Sequence, residues 1–112
     1  MSNQKSLDKI QKAAAKKKSG NIIKLMGKAD NETIIAALQA LGEIGDEDSC
    51  NHITHYLDHE DGAVRIAACT AGLKINTEYM RTRVRHQLAM EKDEAIKNQI
   101  QEAFNKAREL RV

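Results

Sequence analysis

Small and apolar residues recur along this chain with the period of an α-helix, and the pattern itself recurs. Thr33, Ala36, Ala37, Ala40, Leu41 and Ile44 are spaced 3, 1, 3, 1 and 3, which is one stripe of a helix. The stripe returns in Val64, Ala67, Ala68, Ala71 and Ile75, and more faintly in Ile96, Ile100, Ala103 and Phe104. Residues 30–42 and 61–73 superpose without a gap at an offset of 31, and a third copy opens at Asp93, 32 residues further on. Repetition at this period predicts stacked helical units, because one unit cannot bury its apolar face alone. The paired alanines fit such a stack, since small side chains let neighbouring helices approach closely.

A second, shorter amphipathic pattern precedes each stripe. Ile22, Ile23, Leu25 and Met26 mark the first, Cys50, Ile53, Tyr56 and Leu57 the second, and Met80, Val84 and Leu88 the third. The links are brief and polar, as between the helices of a pair, and Gly45 stands where a left-handed cap would end one pair. The chain therefore predicts an all-α fold with no strand, and the absence of proline leaves every helix uninterrupted. The repeats are expected at about 20–45, 46–77 and 78–110 within a repeat domain of residues 20–112. Residues 1–19 differ. Leu7, Ile10 and Ala14 have helical spacing, but six lysines crowd the segment, which predicts a basic N-terminal helix capping the open end of the stack.

The ending Leu41-Gly42-Glu43-Ile44-Gly45-Asp46 and the opening Asp61-Gly62-Ala63-Val64-Arg65-Ile66-Ala67-Ala68 resemble the HEAT-repeat family, particularly its phycobilisome-lyase-like branch. The match is strongest over residues 41–75 and weaker over 20–40 and 79–107. Thr33-Ile34 stands where the pattern has Val-Arg, and Ile96-Lys97 approximates it. The resemblance implies a short α-solenoid, a right-handed superhelix of about three helix pairs. It also implies a structural role for Arg65, pairing with acids in the turns such as Asp61 or the Asp30 of the preceding repeat.

Composition narrows the function classes. Aromatics are limited to Tyr56, Tyr79 and Phe104, so the core must be aliphatic. No apolar run approaches the ~20 residues that span a bilayer, and residues 1–10 lack the apolar centre of an export signal. Cys50 and Cys69 have neither metal-binding spacing nor the density of a disulfide scaffold. The expected location is cytoplasmic, with reduced thiols. The net charge of +2 hides an uneven distribution. Residues 1–30 carry eight lysines against Asp8 and Asp30, residues 31–61 carry eight acids and no Lys or Arg, and residues 62–112 carry ten bases against six acids.

Candidate chemistry is sparse. His52, His55 and His59 are spaced by three and four, but zinc needs three or four converging ligands. Cys50 points to the core in the repeat register and His59 lies at the helix end, so surface histidines are expected and no metal or cofactor site. The carboxylates of residues 43–48 lie in an exposed link without the apolar pocket that makes a general acid. The glycines at 42 and 45 follow a helix rather than a strand, unlike a nucleotide loop. No enzyme and no small-molecule ligand is expected.

The residues that do not fit the core stripe are more telling. At about 100° per residue, Ile35 points nearly opposite its helix's stripe and Leu38 lies well off it. Ile66 and Cys69 take these places one repeat later, while the third copy has Asn98 and Gln101. Unless the N-terminal helix covers them, Ile35, Leu38, Ile66 and Cys69 would form one outward apolar patch, and contiguous patches mark contact surfaces. The patch would dock a partner helix or a second copy of the chain, with acidic links attracting basic side chains at its rim. The same register buries Cys50 and exposes Cys69. A non-catalytic scaffold or adaptor for a protein partner is the expected function. One alternative is nucleic-acid binding through Lys9, Lys12 and Lys16 with Arg81, Arg83 and Arg85. Against it stand the scarcity of stacking aromatics and the acidic middle. The other is an accessory or chaperone-like subunit of an enzyme, as the phycobilisome-lyase-like branch implies.

Overall fold

In the computed structural model, residues 2–110 are described, and they form helices joined by short turns. The helices are α1 (Ser2–Ala15), α2 (Ser19–Met26), α3 (Asn31–Ile44), α4 (Glu47–Thr54), α5 (Gly62–Ile75), α6 (Glu78–Met90) and α7 (Glu94–Leu110). No strand occurs among the described residues.

Polar side chains punctuate the chain at nearly even intervals. Asp30, Asp46, Asp61, Thr77 and Asp93 each accept a backbone N–H three residues on, at 2.9, 2.8, 3.2, 3.1 and 3.1 Å. Each bond satisfies an amide that the first helical turn leaves without a partner. The three aspartates at 30, 61 and 93 that align the repeats are thus the caps of α3, α5 and α7. The exits are equally regular. Gly45 after α3 and Asn76 after α5 both adopt the left-handed conformation, with φ of 67° and 59°. Lys17 does the same after α1 with φ of 55°. There the N–H of Lys18 bonds the carbonyl of Ala13 and that of Lys17 the carbonyl of Ala14, at 2.9 and 3.0 Å, closing a Schellman turn.

Two helical layers result. α1, α3, α5 and α7 lie side by side in that order, and α2, α4 and α6 pack behind them. The narrowest dimension, 18 Å, is that of two stacked helices. The chain is a short all-α solenoid. Between the layers, Ile22 and Met26 of α2, Ile53 and Leu57 at α4, and Met80, Val84 and Leu88 of α6 meet the inner faces of α3, α5 and α7. Gly42 sets the α3–α5 distance: a Cβ there would fall 3.0 Å from both Cα and Cβ of Ala71, so the backbones meet where any larger side chain would collide.

The buried arc is wider than the sequence stripe. Leu38 and Cys69 are fully buried, at 0% exposure each, and Ile34 and Leu73 are buried as well. The expectation that Leu38 and Cys69 face outward is therefore wrong, and so is the expected order of thiol burial, because Cys50 is only half-buried. The reason is that α3 packs against α1, α2, α4 and α5, and α5 against α3, α4, α6 and α7. Four neighbours enclose more of a helix's circumference than the ~100° stripe of a surface helix. Only Ala63, Ile66, Thr70 and Lys74 remain on the open side of α5.

Candidate protein-binding groove

On the open side of the layer, α3, α5 and α7 border a groove of about 540 Å³. Ile35 and Ile66, both half-buried, form its apolar walls, and Ala67 and Ala71 its floor. Gln39, Thr70 and, from α7, Gln99 supply uncharged hydrogen-bonding groups along it. One end carries Glu43 and Lys74, whose charged atoms lie 3.9 Å apart with both side chains largely exposed. Such a pair contributes little to folding, which leaves both groups free to turn towards another molecule. Of the four residues expected at this surface, the structure brings Ile35 and Ile66 together here and withdraws Leu38 and Cys69 into the core. α1 does not cover the groove: it packs on the other flank of α3, near Ala36 and Ala40.

Behind the groove, a polar clasp holds adjacent repeats in register. Arg65 donates from Nε to Glu91 Oε1 at 2.8 Å and from Nη2 to Glu91 Oε2 at 3.1 Å. Its Nη1 also donates to the carbonyls of His59 and Glu60, at 2.8 and 3.0 Å. Arg65 thus pairs forward, with an acid 26 residues on, and not with Asp61 or with Asp30 of the preceding repeat. Those positions are otherwise engaged: Asp61 caps α5 and accepts from Asn31 Nδ2 at 3.1 Å, and Asp30 caps α3. The Arg65 hydrogen bond holds the Glu91 carboxyl below its ordinary range, against the opposing effect of its burial. Sequence reasoning missed Glu91. The signal was its place in the link after α6, where Glu60 stands one repeat earlier.

The histidines are held by contacts with one another, with Tyr56 and with a turn. His52 stacks edge-on with His55 and with Tyr56, and Tyr56 lies against His59, with ring centroids 5.4–6.0 Å apart. His59 Nδ1 accepts from the backbone N–H of Asp61 at 3.0 Å, which commits that ring to the turn. Burial, and then the neighbouring His55, lowers the pKa of His52. Among the described residues no group of three His, Cys, Asp or Glu side chains is arranged to hold a metal. Arg81 donates to the carbonyl and side-chain oxygens of Asn76, and the guanidinium of Arg85 sits 5.4 Å from the centre of the Phe104 ring. These arginines belong to α6, which packs on α5 and α7, while Lys9 and Lys12 lie on α1, against α2 and α3. The two basic groups therefore stand towards opposite ends of the row instead of forming one track.

Residues 19–105 match the family model of HEAT repeats. The chain is a HEAT-repeat protein. Neither curated proteins nor solved structures give a further match, so nothing supports the phycobilisome-lyase-like branch in particular. HEAT repeats serve in general as scaffolds for protein interaction. In this HEAT-repeat protein the second helix of each pair, with α1 beside them, forms the layer that carries the groove. No helix among the described residues is long and apolar enough to cross a membrane.

Proposed function

We propose that this HEAT-repeat protein is a non-catalytic scaffold that receives a helix of a partner protein in the α3–α5 groove. The observation that carries the reading is the pairing of Ile35 and Ile66. Two aliphatic side chains face one open depression, flanked by uncharged polar groups and closed at one end by a loosely held pair of opposite charges. An amphipathic helix laid in such a groove buries its apolar face against the isoleucines and finds polar partners along the edges. The thiol chemistry supports a non-catalytic reading. Burial pushes the Cys69 thiol up to about 12, and burial also raises that of Cys50, so neither is a thiolate nucleophile near neutral pH.

The test is capture from extract of the native cell on immobilised wild-type protein and on Ile35→Glu/Ile66→Glu. At least one protein held stoichiometrically by the wild type is expected to be lost from the double variant, whose helical circular dichroism stays unchanged. Retention of the same proteins by both forms would overturn the proposal. Co-purification of an enzyme would mark the scaffold as an accessory subunit.

A further inference from the structure

A second surface, at the end of the row, has a different chemistry. Lys9 and Lys12, at i and i+3, lie on one side of α1, and Lys16 follows in the turn just past its end. The chain then reverses through the left-handed Lys17 and starts α2, which brings Lys18, Asn21 and Leu25 opposite. Between the two helices lies a recess of about 280 Å³ whose floor is Ala13 and Leu25. Four exposed lysines thus border one recess with an apolar floor.

None of the four has an ion-pair partner: the two salt bridges among the described residues are Arg65–Glu91 and Lys74–Glu43. α2 begins with no side chain capping its amides, and the nearest carboxylate at its start, Asp46, accepts from Ser19 Oγ at 2.7 Å. Mutual repulsion of like charges at one site opposes folding, and an anionic ligand would relieve it.

We propose that this recess binds an acidic peptide segment of a partner protein, its carboxylates on Lys9, Lys12, Lys16 and Lys18 and one aliphatic side chain on Ala13 and Leu25. The floor favours peptide over nucleic acid. It offers a methyl-sized apolar contact and no aromatic ring on which a base would stack. Along the chain, the eight acids of residues 31–61 separate these lysines from the arginines of α6. The site is separate from the α3–α5 groove and does not depend on that reading.

The probe is a short fluorescein-labelled peptide of Glu and Asp around a single Leu, followed by anisotropy at low ionic strength. Two variants of equal net charge are compared: Lys12→Gln/Lys16→Gln within the recess and Lys5→Gln/Lys28→Gln outside it. The recess variant should bind about tenfold more weakly, the product of two exposed ion pairs of about threefold each. The outside variant should change by less than about twofold, by screened long-range attraction alone. Replacing the peptide's Leu with Ser should weaken binding, and Ile35→Glu/Ile66→Glu should leave it unchanged. Equal losses in the two lysine variants, no measurable peptide binding, or tighter binding of single-stranded DNA of equal charge with the same lysine dependence would each overturn the proposal.

Discussion

Replacing Arg65 with Met should destabilise this protein more than any other single change at a charged surface position. Met keeps most of the aliphatic stem but removes every donor. The Glu91 side chain is 3% exposed and that of Arg65 17%, so Glu91 would keep its carboxylate in a nearly dry site with one bond left, from the Asp93 N–H at 3.2 Å. Stranding a fully buried charge costs about 3–5 kcal/mol. Water can reach the vacated Arg65 site, and charge-assisted bonds of this kind are worth about 1.5–3 kcal/mol, so a loss of about 2–3 kcal/mol is expected. For a domain of this size that is a Tm lower by about 10 °C. The pH dependence should also change sign. In the wild type the Glu91 carboxyl is depressed below its unfolded value, so the unfolded chain binds more protons through that interval. The clasp's contribution is complete above the unfolded pKa and is lost as pH falls through the folded one. Without Arg65 only desolvation and the Asp93 charge remain to raise the carboxyl, opposed by the Asp93 N–H, so acidification should relieve part of the penalty. Denaturant titrations of Arg65→Met, Glu91→Leu and the double variant, at neutral and at acid pH, measure both effects. The double variant should be more stable than the sum of the single losses implies. Additive losses, within about 0.5 kcal/mol, would show that the clasp is not an interaction on which the repeats depend.

Two further outcomes follow from burial and backbone geometry. Cys50 should react with a thiol reagent in the native protein while Cys69, buried and with its thiol raised to about 12, is protected until unfolding; mass spectrometry of partially labelled protein checks the order, and prior labelling of Cys69 would refute the packing of α5. Lys17→Gly should stabilise the fold by about 1 kcal/mol, because a non-glycine residue carries about that cost in the left-handed conformation; a lower denaturation midpoint would mean that α1 does not end in this turn.

The repeat was legible because it is written in small residues at helical spacing, with an aspartate cap opening each copy. Gly45 was readable as an exit because glycine is the residue that enters the left-handed region at no steric cost. Asn76 and Lys17, which make the same turn, carry weaker signals, since asparagine has other uses and lysine none that is specific to turns. The buried arc of α5 was not legible. Helical periodicity reports which residues share a face, but the number of neighbouring helices decides how wide the buried face is. Leu38 and Cys69 lie in the core for that reason, while Ile35 and Ile66, nearer the middle of the open side, are half-buried. The partner of Arg65 was hidden because the contact joins two links 26 residues apart, and only the stacking of one repeat on the next brings them together.

The central claim is that the α3–α5 groove is where this HEAT-repeat protein meets its partner. Site-specific photo-crosslinking in the native cell tests it most directly, with the reactive side chain placed at Thr70 inside the groove or at exposed Asn51 on α4 in the opposite layer. A discrete protein adduct from position 70 and none from position 51 is predicted. Adducts from position 51 with none from position 70 would place the contact surface on the other layer and contradict the account.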